Sequence, residues 1–201
     1  MSGAAVTAFA AVTPTEWVAV ALAIAYLLLA IRQNPWCWAF AITSASLYLV
    51  LFSRAGLVMQ AALQVFFVAM AVYGWRQWRG SATREPARVG RWPPRRHALA
   101  VGAVAAISGI NAWLIADDGA GVVAYADAAT AWGSVLATWL VARKLVENWF
   151  YWIAIDLVAA ALYWSQGLHA TAVLYVLYTA LAVRGYQAWR RDERVQATSH
   201  A

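Results

Sequence analysis

Asp156 is the only charged residue in the stretch 148–165, which is otherwise apolar or aromatic apart from an amide and a serine. A carboxylate inside a bilayer-crossing segment is costly and faces a bundle interior or a cavity, where it contacts a ligand or organises neighbouring helices. Asn148, Trp152 and Asp156 are spaced i, i+4 and i+8. On a helix they fall along one side, with Trp149 beside them. An amide, an indole and a carboxylate on one face suit a flat, polar, heteroaromatic ligand, because rings supply stacking area and amides fix orientation. For Trp149 and Trp152 the alternative is packing or an interfacial role.

Gln60, Gln64 and Phe67 form a second stripe at i, i+4 and i+7, and Thr171, Tyr175 and Tyr178 form a third. A glutamine facing lipid would leave its amide donors unsatisfied, so these stripes face protein, water or substrate. Interhelical hydrogen bonding, worth about 0.6–2 kcal/mol, is the plainer alternative. His97 and His169 fall at segment ends and Cys37 is the single cysteine, which excludes an internal disulfide and a thiolate metal cluster. Neither a metal site nor a cofactor is expected. The patterns GxxxxGK[ST], HExxH, CxxC and GxSxG are missing, so ATP-driven pumping and familiar hydrolytic chemistry have no support.

The elements that must position these residues follow from composition. Of 201 residues, 64% are hydrophobic and 12% charged, against about half and a quarter in an ordinary soluble domain. Uncharged runs at 33–53, 55–75 and 97–116 are each 20 or 21 residues long, enough to cross a ~30 Å hydrocarbon layer at ~1.5 Å per residue. The expected fold is an all-α integral membrane domain occupying residues 1–201. Seven transmembrane helices are predicted at 16–32, 36–53, 57–78, 97–116, 125–143, 148–165 and 168–189, with a linker at 79–96. Trp17, Trp36, Trp38, Trp75, Trp78, Trp113, Trp149 and Trp189 stand near the ends and suit an interfacial belt.

Seven crossings gather 14 of the 15 Lys and Arg residues on one side, with only Arg54 opposite. The positive-inside rule then makes the C-terminus and the linker cytoplasmic and puts the N-terminus, Asp117 and Asp118 outside. No Lys or Arg precedes Trp17, so a cleaved signal peptide is not expected. The basic residues sit in connecting loops, which argues against a nucleic-acid partner despite the net charge of +6.

Shifting the sequence by 111 residues aligns 14–79 with 125–190 without a gap and gives 16 identities in 66 positions. Leu29/Leu140, Arg32/Arg143, Trp38/Trp149, Gly56/Gly167, Leu57/Leu168, Gly74/Gly185, Trp78/Trp189 and Arg79/Arg190 are among them, and Glu16/Asp127 is an acidic pair. This is an internal repeat of three helices. The helix at 97–116 joins two such units and restores the same orientation to both. Parallel repeats are one established transporter plan, with substrate held near the midplane.

Asn34-Pro35-Trp36-Cys37-Trp38, Leu63-Gln64-Val65-Phe66-Phe67, Tyr73-Gly74-Trp75 and Glu147-Asn148-Trp149-Phe150-Tyr151-Trp152 ending at Asp156 resemble segments of the PnuC family of bacterial vitamin transporters. Gly167-Leu168, Leu174-Tyr175, Gly185-Tyr186 and Trp189 are similar too, so the likeness runs from about residue 15 to 190. The resemblance implies a seven-helix fold like that of the SWEET proteins, in the bacterial inner membrane. It also implies facilitated diffusion of nicotinamide riboside, with a cytoplasmic kinase trapping the substrate after entry. Thiamine or a riboflavin-like vitamin is the alternative cargo, and a homo-oligomer is left open. A membrane enzyme would need a nucleophile and base, or metal ligands, at workable spacing. A scaffold or receptor would not need polar stripes in both repeats.

Overall fold

The computed structural model describes residues 14–54, 56, 58–80, 87–115 and 122–198, without the side chains of residues 14–17, 19, 58–60 and 115. Asp117, Asp118, residues 81–86 of the linker, and the side chains of Glu16, Trp17 and Gln60 lie outside the described part. Seven helices are described: α1 (Pro14–Ile31), α2 (Cys37–Arg54), α3 (Val58–Arg79), α4 (Pro94–Ile115), α5 (Val122–Ala142), α6 (Asn148–Ser165) and α7 (His169–Thr198). No strand occurs among the described residues, only an isolated bridge between Gly90 and Leu145.

Helices of 18 to 22 residues, as α1 to α6 are, span roughly 27–33 Å, the thickness of a bilayer core. By length and apolarity alone, Cys37–Arg54 and Pro94–Leu114 qualify as membrane spans among the described residues. The others are diluted by Trp, Tyr, Gln, Asn and Asp, residues that score as polar yet serve headgroup contacts or an enclosed polar face. Large apolar side chains point outward on several helices, including Val65, Leu99, Ile110, Leu157 and Val176. A bilayer accepts such a surface, whereas water would not.

Helix α5 begins at Val122 rather than 125, and two other ends differ from expectation for a visible reason. Helix α4 begins at Pro94 rather than 97, since proline has no N–H to lose and a φ suited to the first helical position. Helix α7 continues nine residues past 189, through a charged stretch held by Arg190 donating to the Tyr186 hydroxyl (2.9 Å) and by Glu193 accepting from Arg91.

The chain forms two compact units, Met1–Arg88 and Val89–Ala201. In the first, α2 packs on α1 and on α3; in the second, α5 packs on α4 and α6, and α6 on α7. The linker helix thus belongs to the second unit, where Ser108 donates to the Ala128 carbonyl (3.3 Å).

Inside each unit the same devices recur at the 111-residue offset. Helices α1 and α5 end with Gln33 (φ 53°) and Lys144 (φ 52°) in the left-handed region. Their amides reach Ala30 and Val141, and the next amides reach Leu29 and Leu140, closing the paired bonds of a Schellman cap. At the ends of α2 and α6, Gly56 (φ 73°) and Gly167 (φ 78°) take that conformation at no steric cost. Trp38 stands edge-on to Trp78 (5.4 Å, 81°), and Trp149 stands edge-on to Trp189 (5.4 Å, 86°). Each inner indole lies flush against a glycine: a Cβ on Gly185 would come within 2.5 Å of Trp149, and one on Gly74 closer still to Trp38. Arg79 lies over Trp75 (5.6 Å) and Arg190 over Tyr186 (5.7 Å). The interfacial belt therefore claims Trp36 and Trp113, which are exposed, but not Trp38, Trp78, Trp149 or Trp189, which are buried. The glycine opposite the ring draws Trp38 and Trp149 inward, and Trp78 and Trp189 pack on them.

Residues 89–97 strap the second unit. The Gly90 amide donates to Lys144 and its carbonyl accepts from Val146, both at 3.0 Å. Trp92 packs on Trp139 (5.1 Å), and His97 Nδ1 lies 2.9 Å from the Tyr151 hydroxyl.

Candidate functional site

The carboxylate on α6 is the centre of the second unit's polar face. Asp156 is 5% exposed and lies eight residues, roughly 12 Å of rise, from the start of α6. It makes no ion pair with a described residue. The Tyr175 phenol of α7 lies within its electrostatic reach and packs on Tyr163 of α6. The Tyr163 and Tyr175 rings stack (5.3 Å, 27°), and Tyr178 meets Tyr175 edge-on (5.7 Å, 75°). Asp156, Tyr163, Tyr175 and Tyr178 thus make one cluster across the α6–α7 packing. Trp152, one turn before Asp156 on the same side, is half-buried.

The local sequence explains the arrangement. Alanines at 159 and 160 are buried and let α7 approach α6, as Ala172 and Ala182 do from the other side. Thr179 turns its hydroxyl back to the Tyr175 carbonyl (3.0 Å), so it satisfies itself within α7.

Asn148 and Trp149 occupy a different place from Asp156. Asn148 is fully buried and its side-chain amide donates to the Leu145 carbonyl (2.6 Å), closing the α5–α6 turn, while its Oδ1 has no partner among the described residues. Trp149 is held against Gly185 and Trp189. Both therefore frame the base of α6, whereas Trp152 and Asp156 lie further along. Thr171 is half-buried on α7, four residues before Tyr175.

In the first unit, Gln64 and Phe67 are half-buried on α3, and Phe67 meets Phe66 edge-on (5.7 Å). A shallow groove of about 440 Å³ between α2 and α3 is lined by Ala39, Ile42, Thr43, Val72, Trp75 and Arg76, apart from that stripe. No group of three or more His, Cys, Asp or Glu side chains stands together among the described residues. Tyr163 was not anticipated from the sequence. The signal was present, since it lies seven residues after Asp156 on the same helical side, but an aromatic near a helix end reads as a belt residue.

Comparison with known proteins places this arrangement. A family profile described as nicotinamide mononucleotide transporter matches residues 13–191. The riboflavin/roseoflavin transporter RibM of Streptomyces davaonensis is 30% identical over 179 residues, covering 84% of this chain and 82% of that protein. The nicotinamide riboside transporter PnuC of Escherichia coli is 28% identical over 190 residues, covering 80% of each. Among solved structures, the crystal structure of the vitamin B3 transporter PnuC superposes with a TM-score of 0.66 at 21% identity, over 89% of this chain and 83% of that one.

Proposed function

The chain belongs to the nicotinamide mononucleotide transporter family, and from that premise we propose that this membrane transporter carries nicotinamide riboside into the cytoplasm by facilitated diffusion. The match along residues 13–191 carries the reading. The relative from Escherichia coli, named for the same riboside, supports the cargo. The substrate is a flat carboxamide-bearing ring on a sugar, and the α6–α7 face offers an indole, three phenols and a carboxylate for it. We assign Trp152, Asp156, Tyr175 and Tyr178 of the second unit to substrate contact. Asn148 and Trp149 hold the start of α6 in register for them.

The protein acts as a single transmembrane domain in the inner membrane, with its N-terminus outside and its C-terminus in the cytoplasm. A cytoplasmic kinase that phosphorylates the entering riboside keeps the gradient inward, so the carrier needs no energy source of its own. Riboflavin is the second reading, and the 30% identity to RibM favours it.

The test is uptake into liposomes by purified protein. Labelled nicotinamide riboside should equilibrate with the outside concentration and riboflavin should not compete. Accumulation above that concentration with no ion gradient or trapping enzyme overturns uniport. Entry of riboflavin alone transfers the reading to the second vitamin.

A further inference from the structure

We propose that Asp156 and the rings of Tyr163, Tyr175 and Tyr178 form a cation-accepting subsite, which makes the carrier prefer a positively charged heteroaromatic ring to an uncharged ring of the same shape. The proposal rests on the reading of the protein as a carrier of nicotinamide riboside and concerns how that cargo is chosen.

Three observations carry it. The carboxylate is buried and has no ion-pair partner among the described residues. An uncompensated charge at that depth is costly, and the cost is recovered when a cation arrives. Neither helix supplies that cation nearby: α6 has no basic residue, and on α7 the stretch 170–183 has none before the exposed Arg184. Tyr163 stands seven residues on along the same side of α6, the Tyr175 phenol of α7 is within electrostatic reach of the carboxylate, and their rings stack at 5.3 Å with Tyr178 edge-on at 5.7 Å. Ring faces attract cations through their quadrupole, most strongly for delocalised or quaternary ones that carry no tight water shell. A pyridinium is such a cation.

The arrangement is also particular to one repeat. Position 45, the counterpart of Asp156, is alanine, and positions 52, 64 and 67, the counterparts of Tyr163, Tyr175 and Tyr178, are Phe, Gln and Phe. A device needed for packing would recur in both units, as the Trp and Gly pairs do. This cluster does not recur, so the packing common to both units does not require it.

The experiment compares nicotinamide riboside, a pyridinium, with its 1,4-dihydro form, which keeps the sugar and carboxamide and carries no charge. Binding of each to detergent-purified protein is measured by calorimetry, with the melting temperature alongside. The wild-type protein should favour the pyridinium by about 10- to 100-fold, the range of a hydrogen bond or contact to a charged group. Asp156→Asn should lower that ratio to the few-fold preference that the rings give alone, Asp156→Glu should keep most of it, and Tyr163→Leu should lower it by about 2- to 30-fold through the lost ring face. Equal binding of both forms by the wild-type protein overturns the subsite. So does a parallel loss of both forms in Asp156→Asn with the ratio unchanged, which marks a structural carboxylate. Failure of the wild-type protein to bind either form overturns the substrate reading, and the subsite with it.

Discussion

Two residues one helical turn apart on α6 have different tasks. Trp152 is half-buried on the side that carries Asp156, so removing its ring takes stacking area from the ligand. Trp152→Ala should weaken riboside binding by about 2- to 10-fold, the worth of one aromatic contact, with little change in melting temperature. Asn148 is sealed under the α5–α6 turn with its amide on the Leu145 carbonyl. Asn148→Leu removes that side-chain bond and leaves the carbonyl with the residue-148 backbone N–H alone, which should cost about 0.5–1.5 kcal/mol of stability, read as a lower melting temperature, while affinity per folded molecule changes less. Calorimetry and thermal melts on the two variants separate the roles. If Trp152→Ala melts early and binds normally, the indole belongs to the frame and the ligand lies elsewhere.

At the scale of helices, the contact that sets α3 against α2 and α7 against α6 is an indole laid on a glycine. A methyl group at Gly185 would stand 2.5 Å from the Trp149 ring, so one partner must move. Gly185→Ala and Gly74→Ala should each destabilise by about 1–3 kcal/mol, the usual cost of overpacking, and circular dichroism melts would show it. Gly102→Ala on α4, where nothing lies within 4 Å, is the control and should melt no lower than the parent. The strap is a weaker device. Arg91 and Glu193 make a two-point pair, but the arginine side chain is 47% exposed, so solvent screens it. A double-mutant cycle across this pair should give a coupling of about 0.2–1 kcal/mol. The backbone bonds of Gly90 to Lys144 and Val146 hold the strap more firmly, because a charge change does not reach them.

For the molecule as a whole, 14 of 15 basic residues gather on the side of the C-terminus. This bias sets orientation during insertion. A fluorescent reporter fused after residue 201 should therefore be bright and alkaline phosphatase fused there inactive. Phosphatase activity at that end inverts the topology.

The sequence by itself determined the helices and the repeat. Uncharged runs as long as a bilayer is thick leave the backbone no alternative to helix, because every peptide group must find its partner within its own segment. The offset of 111 residues was legible because glycines and tryptophans at helix contacts cannot drift without clash or void, and the same turns and ring pairs recur inside each unit. The face bearing Asp156 was legible too, since a lone carboxylate in an apolar helix has few places to point. Helix periodicity put Asn148 and Trp149 beside Trp152 and Asp156, but periodicity fixes an angle about one axis and carries no information about the neighbour at each height. The tertiary structure decided that a glycine on α7 takes up Trp149, that the α5–α6 turn takes up Asn148, and that Tyr163 joins Tyr175 beside the carboxylate. Those outcomes depend on which helices pack together and at what register, a property of contacts between segments far apart in the chain.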